Sequence, residues 1–273
     1  MKKMNMFCLL GILFLSVQSF AGIKPTKVKL TSKKTSKKSN VQKISHKDIK
    51  SLNDLEKAYK VEMNNKDLDK LKIKTLKLAN KAVPMLIKIM KNDDYPDKSR
   101  WAATFMLGKI MGKKSAPFIA RFCEHPNWVM RLSSLKALEH LDQKQYLGLY
   151  AKKLQDKSLI VRTQALDMIR NMKLTKLAPS VWAMLFDKSN YAGSKGQRKR
   201  ADIIKDIIKT VGDLKFEKAK APLLKMIQNK KYKDVFTEID YSLEKIIGKS
   251  SPKGDESKKV HYWSRIALSE KTI

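Results

Sequence analysis

The side chains that most often do chemistry are thinly spread in this chain. His46, His125, His140 and His261 lie far apart, and none falls in an HExxH or similar metal-ligand spacing. The sequence has no glycine-rich phosphate loop, no GxSxG and no paired cysteines at CxxC spacing. Cys123, in "APFIARFCEH", stands at helical spacing from Phe118 and Ile119, which predicts core packing rather than a nucleophile. Asp93 and Asp94 fall in a predicted turn, where aspartate caps helices. The expectation is a chain with no catalytic residue, no metal site and no cofactor.

The chemical promise lies in the cations. Formal net charge is +33, a balance that bears on partners and solubility rather than on fold. Of 59 lysines and arginines only eight are arginine, so each arginine needs a reason. One group is clustered. "DKSNYAGSKGQRKR" (187–200) gathers Lys195, Arg198, Lys199 and Arg200 on a glycine-containing loop. Guanidinium groups grip phosphate or carboxylate through two parallel bonds. A second group is periodic: Arg100, Arg131 and Arg162 are 31 residues apart.

The elements that position these residues follow from the same period. Counting from each arginine, position +3 holds Ala103, Ser134 and Ala165, and position +7 holds Leu107, Leu138 and Ile169. Such offsets share one face of a helix. Pro84, Pro117, Pro179 and Pro222 mark the first turns of preceding helices, where a missing N–H costs nothing. The second helix of each pair is expected to open at the arginine, near Arg200 in the fourth pair and near Phe236 in the fifth. Gly112, Gly212 and Gly248 stand at +12, where glycine is expected to end the helix in a left-handed conformation. Self-similarity at this period is the mark of stacked repeats. The spacing therefore predicts an all-α protein.

A proline-led first helix, a turn containing Asp, and an Arg opening an Ala/Leu-rich second helix resemble the HEAT-repeat family, in its compact form of about thirty residues. The likeness covers residues 83–248. It implies a right-handed α-solenoid of about five helix pairs with N- and C-terminal caps. It also implies structural roles for Arg100, Arg131 and Arg162, each bonding an aspartate in a turn, with Asp94 and Asp156 keeping the family's Asp–Arg spacing. His125 takes the aspartate place before Arg131, and the last pair lacks the arginine. Second helices of such stacks line the concave face. Positions +2, +5 and +9 lie opposite the apolar columns and are expected to form a solvent ridge there. It carries Lys109, Lys136, His140, Lys205, Lys209 and Lys245.

The remaining segments frame this array. Residues 1–21 have a cationic start, a short apolar run at 6–17 and small residues at a cleavage site, which reads as a secretory signal peptide. Residues 22–46 read as a disordered basic linker, 47–80 as an N-terminal helical cap, 81–249 as the repeats, and 250–273 as a C-terminal tail and cap. Cleavage leaves Cys123 as the one cysteine and no apolar stretch long enough to span a membrane. No Asn-x-Ser/Thr sequon occurs, which favours a bacterial periplasm over eukaryotic secretion. The sequence predicts a secreted, non-catalytic scaffold that binds an acidic protein partner through its concave face. The alternative is a binder of polyanions (nucleic acid, an anionic envelope polymer or an anionic membrane surface) through its basic surface and the 187–200 loop.

Overall fold

A computed structural model describes residues 46–191 and 201–269, all within one compact unit, Ile44–Ile273. The predicted signal peptide and all but the last residue of the basic linker lie outside the described residues. So do Lys195, Arg198, Lys199 and Arg200. The fold is all-helical, with no strand among the described residues. Helices α1 (His46–Tyr59) and α2 (Asn65–Leu78) come first. Short and long helices then alternate: α3 (Val83–Lys91) with α4 (Asp97–Met111), α5 (Ala116–Arg121) with α6 (Trp128–His140), α7 (Leu147–Lys153) with α8 (Leu159–Asn171). They are followed by α9 (Ala178–Ala183) with α10 (Ala201–Asp213), α11 (Lys220–Ile227) with α12 (Phe236–Ile247), and last α13 (Glu256–Ser269).

Pro84, Pro117 and Pro179 occupy the first turns of α3, α5 and α9. The arginines do not open the second helices. Arg100, Arg131 and Arg162 are each the fourth residue of α4, α6 and α8. The first turn in front of them leaves backbone donors free to meet the Asx turns that precede these helices. The +3 and +7 columns are fully buried, as their helical spacing requires. Column +2 leaves solvent only in the first two pairs: Ala102 and Ser133 are 0 % exposed, whereas Gln164 is half-buried and Asp202 exposed. The inner second helices α6, α8 and α10 are each flanked on both sides by other second helices, because α4 packs on α6, α6 on α8, α8 on α10 and α10 on α12, while α2 covers the other side of α4. A helix with three neighbours buries a wider arc than one apolar stripe, and small residues at its borders let the backbones approach.

Neighbouring second helices run parallel. At their N-terminal ends the arginine of one bonds the turn before the next, as described below. Near the opposite ends, Asn171 of α8 donates to Glu139 of α6 at 2.9 Å. Gly112 and Gly248 end their helices at φ 56° and 73°. Gly212 does not: it lies inside α10, and a Cβ there would stand 2.6 Å from the Ser242 Cα of α12. This glycine is required by its neighbour's backbone rather than by its own dihedral. Asp142, Lys173 and Lys215 take positive φ after α6, α8 and α10 instead, each with its N–H bonded back into the preceding turn.

Candidate functional site

The turns joining short to long helices share one local device. A side chain at the turn's start accepts the backbone N–H two residues on: Asn92 from Asp94, His125 from Asn127, Asp156 from Ser158, Asp187 from Ser189 and Asn229 from Lys231. These are Asx-type turns, and in them the side chain replaces a backbone acceptor. The first is two residues longer before its arginine than the next two. Asn92, not Asp94, therefore stands where Asp156 stands.

Onto these turns the buried arginines build a ladder. Arg131 donates Nε to Asp156 Oδ2 at 2.8 Å and Nη2 to Asp156 Oδ1 at 2.7 Å. Its Nη1 meets the carbonyls of His125 and Pro126 at 2.9 and 2.7 Å. One guanidinium thus joins its own turn to the next one. Asp156 serves the arginine of the preceding helix with its carboxylate, and gives Arg162 only its backbone carbonyl, at 2.8 Å. Arg162 reaches onward in turn, its Nε donating to Asn190 Oδ1 at 2.9 Å. Asn190 is 0 % exposed and anchors itself by donating to the Met184 carbonyl. Burial pushes the Asp156 carboxyl up. The Arg131 bonds, the Ser158 N–H and the charges of Arg131 and Lys153 outweigh it and hold the carboxyl below its ordinary value.

The ladder is imperfect at its first rung. Arg100 pairs with Asp93 at 2.6 Å, not with Asp94, and its buried Nε has no partner. Its onward contact is His125 Nε2 at 3.2 Å. His125 Nδ1 already accepts the Asn127 N–H at 3.1 Å. A neutral imidazole has only one acceptor nitrogen, so it cannot serve both donors. Burial, then the Arg100 charge, push the His125 pKa down. His125→Asp should let Arg100 form the bidentate contact seen at Arg131. The expected gain at neutral pH is about 1 kcal/mol, allowing for the lost stacking on Phe122. The wild type should also lose stability as pH falls from about 6.5, the unfolded histidine value, through the lower folded one. The variant should lack that loss. Thermal melts at pH 7 and pH 5 check both, and a lower melting temperature at pH 7 would mean that crowding with Asp93 and Asp97 prevails.

Away from the ladder, the second helices present an exposed face. Lys109, Lys136, His140 and Lys245 are exposed on it, and Lys205 and Lys209 are half-buried. It is not a bare lysine ridge. Glu139 accepts from Gln164 and Asn171 at 2.8 and 2.9 Å, Arg170 pairs with Asp167 at 2.8 Å, and Lys205 lies 4.0 Å from Glu238. Burial, reinforced by Asp206 and Glu139, pushes the Asp167 carboxyl up against the pull of Arg170. Aromatic rings stand at both ends. Trp101 and Phe105 lie 4.7 Å apart at the α4 end. At the α12 end, Tyr241 has Lys209 and Lys245 within 5.8 and 5.3 Å of its ring, and its hydroxyl donates to Asp213 at 2.5 Å. That bond, with burial, pushes the phenol up to about 12, so it remains a neutral donor.

Other chemistry is sparse among the described residues. Burial pushes the Cys123 thiol up to about 12, which leaves it a protonated core side chain at neutral pH. No group of three metal-ligating side chains occurs among them, and none of their helices is long and apolar enough to cross a membrane. An open cleft of about 590 Å³ lies over the ladder, lined by Asp97, Trp128, Arg131 and Lys157. Asn92, Asp93, Asn190 and Glu139 escape a reading that follows arginine spacing alone, whereas Tyr241 falls in its +5 column. The one signal that leads to Asn190 is its place just after Asp187, the Asx residue of that turn. No protein-family model matches the chain, and no curated protein shows significant similarity to it.

Proposed function

We propose that this chain is an exported, non-catalytic HEAT-like α-solenoid that holds a protein partner on the exposed face of its second helices. The observation that carries the reading is the make-up of that face. It combines mixed, mutually paired charge with half-buried aromatic rings at both ends, on parallel helices tied rigidly by the arginine ladder. Protein interfaces are built on such aromatic anchors inside a polar rim. A uniform polyanion would meet Glu139, Asp167 and Glu238 on the same face and be repelled. The excess of lysine over the whole chain would speed encounter with an acidic partner at low salt.

A pulldown from envelope extract at low and high salt tests this. The triple variant Lys109→Glu, Lys209→Glu, Lys245→Glu is expected to retain at least tenfold less of the captured protein, with a melting temperature within a few degrees of wild type. Unchanged capture by that variant would remove the face from the mechanism. Export is tested separately. N-terminal sequencing of the exported protein should begin at Gly22, and a cytoplasmic product retaining Met1 would overturn the localisation.

A further inference from the structure

A second surface is set by the direction of the helices. Because α4, α6, α8 and α10 run parallel, their C-terminal ends meet one edge, opposite the arginine ladder. The loops leaving that edge carry Lys113 and Lys114 after α4, Lys173 and Lys176 after α8, and Lys215 and Lys218 after α10. All six are exposed, and among the described residues none of them has a carboxylate partner. Of the acids at the same edge, Asp142 lies 3.5 Å from Lys144 and Asp213 accepts the Tyr241 hydroxyl, while Glu217 stands exposed between Lys215 and Lys218.

Lysine at a helix C-terminus has an ordinary use, since it offsets a partial charge of about −0.5. Two unpaired lysines in the loops after α4 and α8 exceed that need about fourfold, the pair after α10 is offset in part by Glu217, and the loop after α6 adds only Lys144, which pairs with Asp142. Helices packed side by side lie roughly 8–10 Å apart, so the row from α4 to α10 extends for roughly 24–30 Å. The loops carry no exposed large apolar side chain; Trp128 and Ile160, which are exposed, lie at the N-terminal ends of α6 and α8. Such a strip lacks the apolar centre of a protein interface. Its rings, Tyr146 and Phe216, are half-buried against the core rather than free for bases to stack on, and it lacks exposed large apolar groups to enter a bilayer. Nor is it a plane. The helix face beside it carries Glu139, Asp167 and Asp206, which a flat anionic surface or a wide duplex would have to cover.

We propose that this edge binds a linear, base-free phosphate polymer lying along the row of loops. Ammonium groups act there as point charges on successive phosphates, and release of the polymer's condensed counterions drives binding. The proposal does not rest on the protein partner, which uses a different face.

The test uses the exported chain and long-chain inorganic polyphosphate. The variant Lys113→Gln, Lys114→Gln, Lys173→Gln, Lys176→Gln, Lys215→Gln, Lys218→Gln should bind at least tenfold more weakly at ~0.15 M salt, the range in which phosphate contacts are partly screened. Its salt dependence should flatten by several logarithmic steps, on the order of 0.7–0.9 per lost contact by analogy with nucleic acids. A control neutralises six lysines of the N-terminal tail: Lys24, Lys27, Lys33, Lys34, Lys37 and Lys38. It should lose clearly less. An edge variant that binds like wild type, or a tail variant that loses as much, would overturn the proposal. So would tighter binding to anionic phospholipid vesicles or single-stranded DNA that vanishes with the same six lysines, which would reassign the edge to those partners. A wild-type melting temperature and undiminished protein capture in the edge variant show that its fold and second-helix face are intact.

Discussion

Arg131→Met is expected to destabilise the protein by about 3–5 kcal/mol, because it strands a buried carboxylate whose partner has gone. Arg131 is 3 % exposed and Asp156 is 8 % exposed. The guanidinium makes two bonds to Asp156 and two to the carbonyls of its own turn. Lys153, 3.7 Å from Asp156, softens the loss without replacing the fork. The double variant Arg131→Met, Asp156→Asn should recover part of it. An amide keeps the Asx turn to Ser158 and needs no counter-charge, as Asn190 does beside Arg162. The pH profile separates a lost charge pair from lost packing. In the wild type the folded Asp156 pKa lies below the unfolded value of about 3.9, so its stabilisation is complete above that value and disappears as pH falls through the folded one. Without Arg131, burial acts with less opposition and the folded pKa rises. The gap between variant and wild type should narrow below about pH 4. Denaturant melts from pH 7 to pH 3 measure this, and a gap that is constant with pH would assign the whole effect to packing.

The parts of this structure that a lone sequence reveals are those repeated at constant spacing. The +3 and +7 columns identify the buried faces because helical period alone decides them, and the scarcity of arginine draws attention to Arg100, Arg131 and Arg162. Errors arise where length changes or where a neighbour decides. Counting back six residues from Arg100 reaches Asp94, but the first turn is longer, so Asn92 takes the Asx position and Asp93 takes the guanidinium. Asn190 carries no charge and lies within the 187–200 loop, at whose end the next arginine of the series stands 38 rather than 31 residues beyond Arg162, so spacing from Arg162 does not find it. Ala102 and Ser133 are buried by adjacent second helices, which a single-helix projection leaves out. Gly212 answers to Ser242 across a helix contact, thirty residues away in sequence. The acidic residues of the second-helix face were visible as letters. Their pairing with Gln164, Asn171 and Arg170 depends on register between helices.

Trp263→Ala is expected to cost about 3–5 kcal/mol, and to do so locally. Trp263 is 0 % exposed in α13, which packs on α11, and its indole N–H donates to Asp240 Oδ1 of α12 at 2.7 Å. Asp240 keeps Lys259 at 2.5 Å and Ser251 at 3.2 Å after the truncation, so the loss is chiefly the cavity. Trp263→Phe preserves most of the ring and should lose only about 1–2 kcal/mol, the contribution of the hydrogen bond and a smaller volume. The distribution of the damage tests the architecture. In an array coupled only through nearest neighbours, an end unit frays without unfolding the middle. Amide exchange in Trp263→Ala should therefore accelerate in α11, α12 and α13, while α4, α6 and α8 keep their protection. Arg131→Met, acting where two central units join, should accelerate exchange on both sides of its rung. Equal acceleration from α4 to α13 in the tryptophan variant would show a single cooperative core, and would remove the nearest-neighbour solenoid reading on which the protein-binding face is proposed.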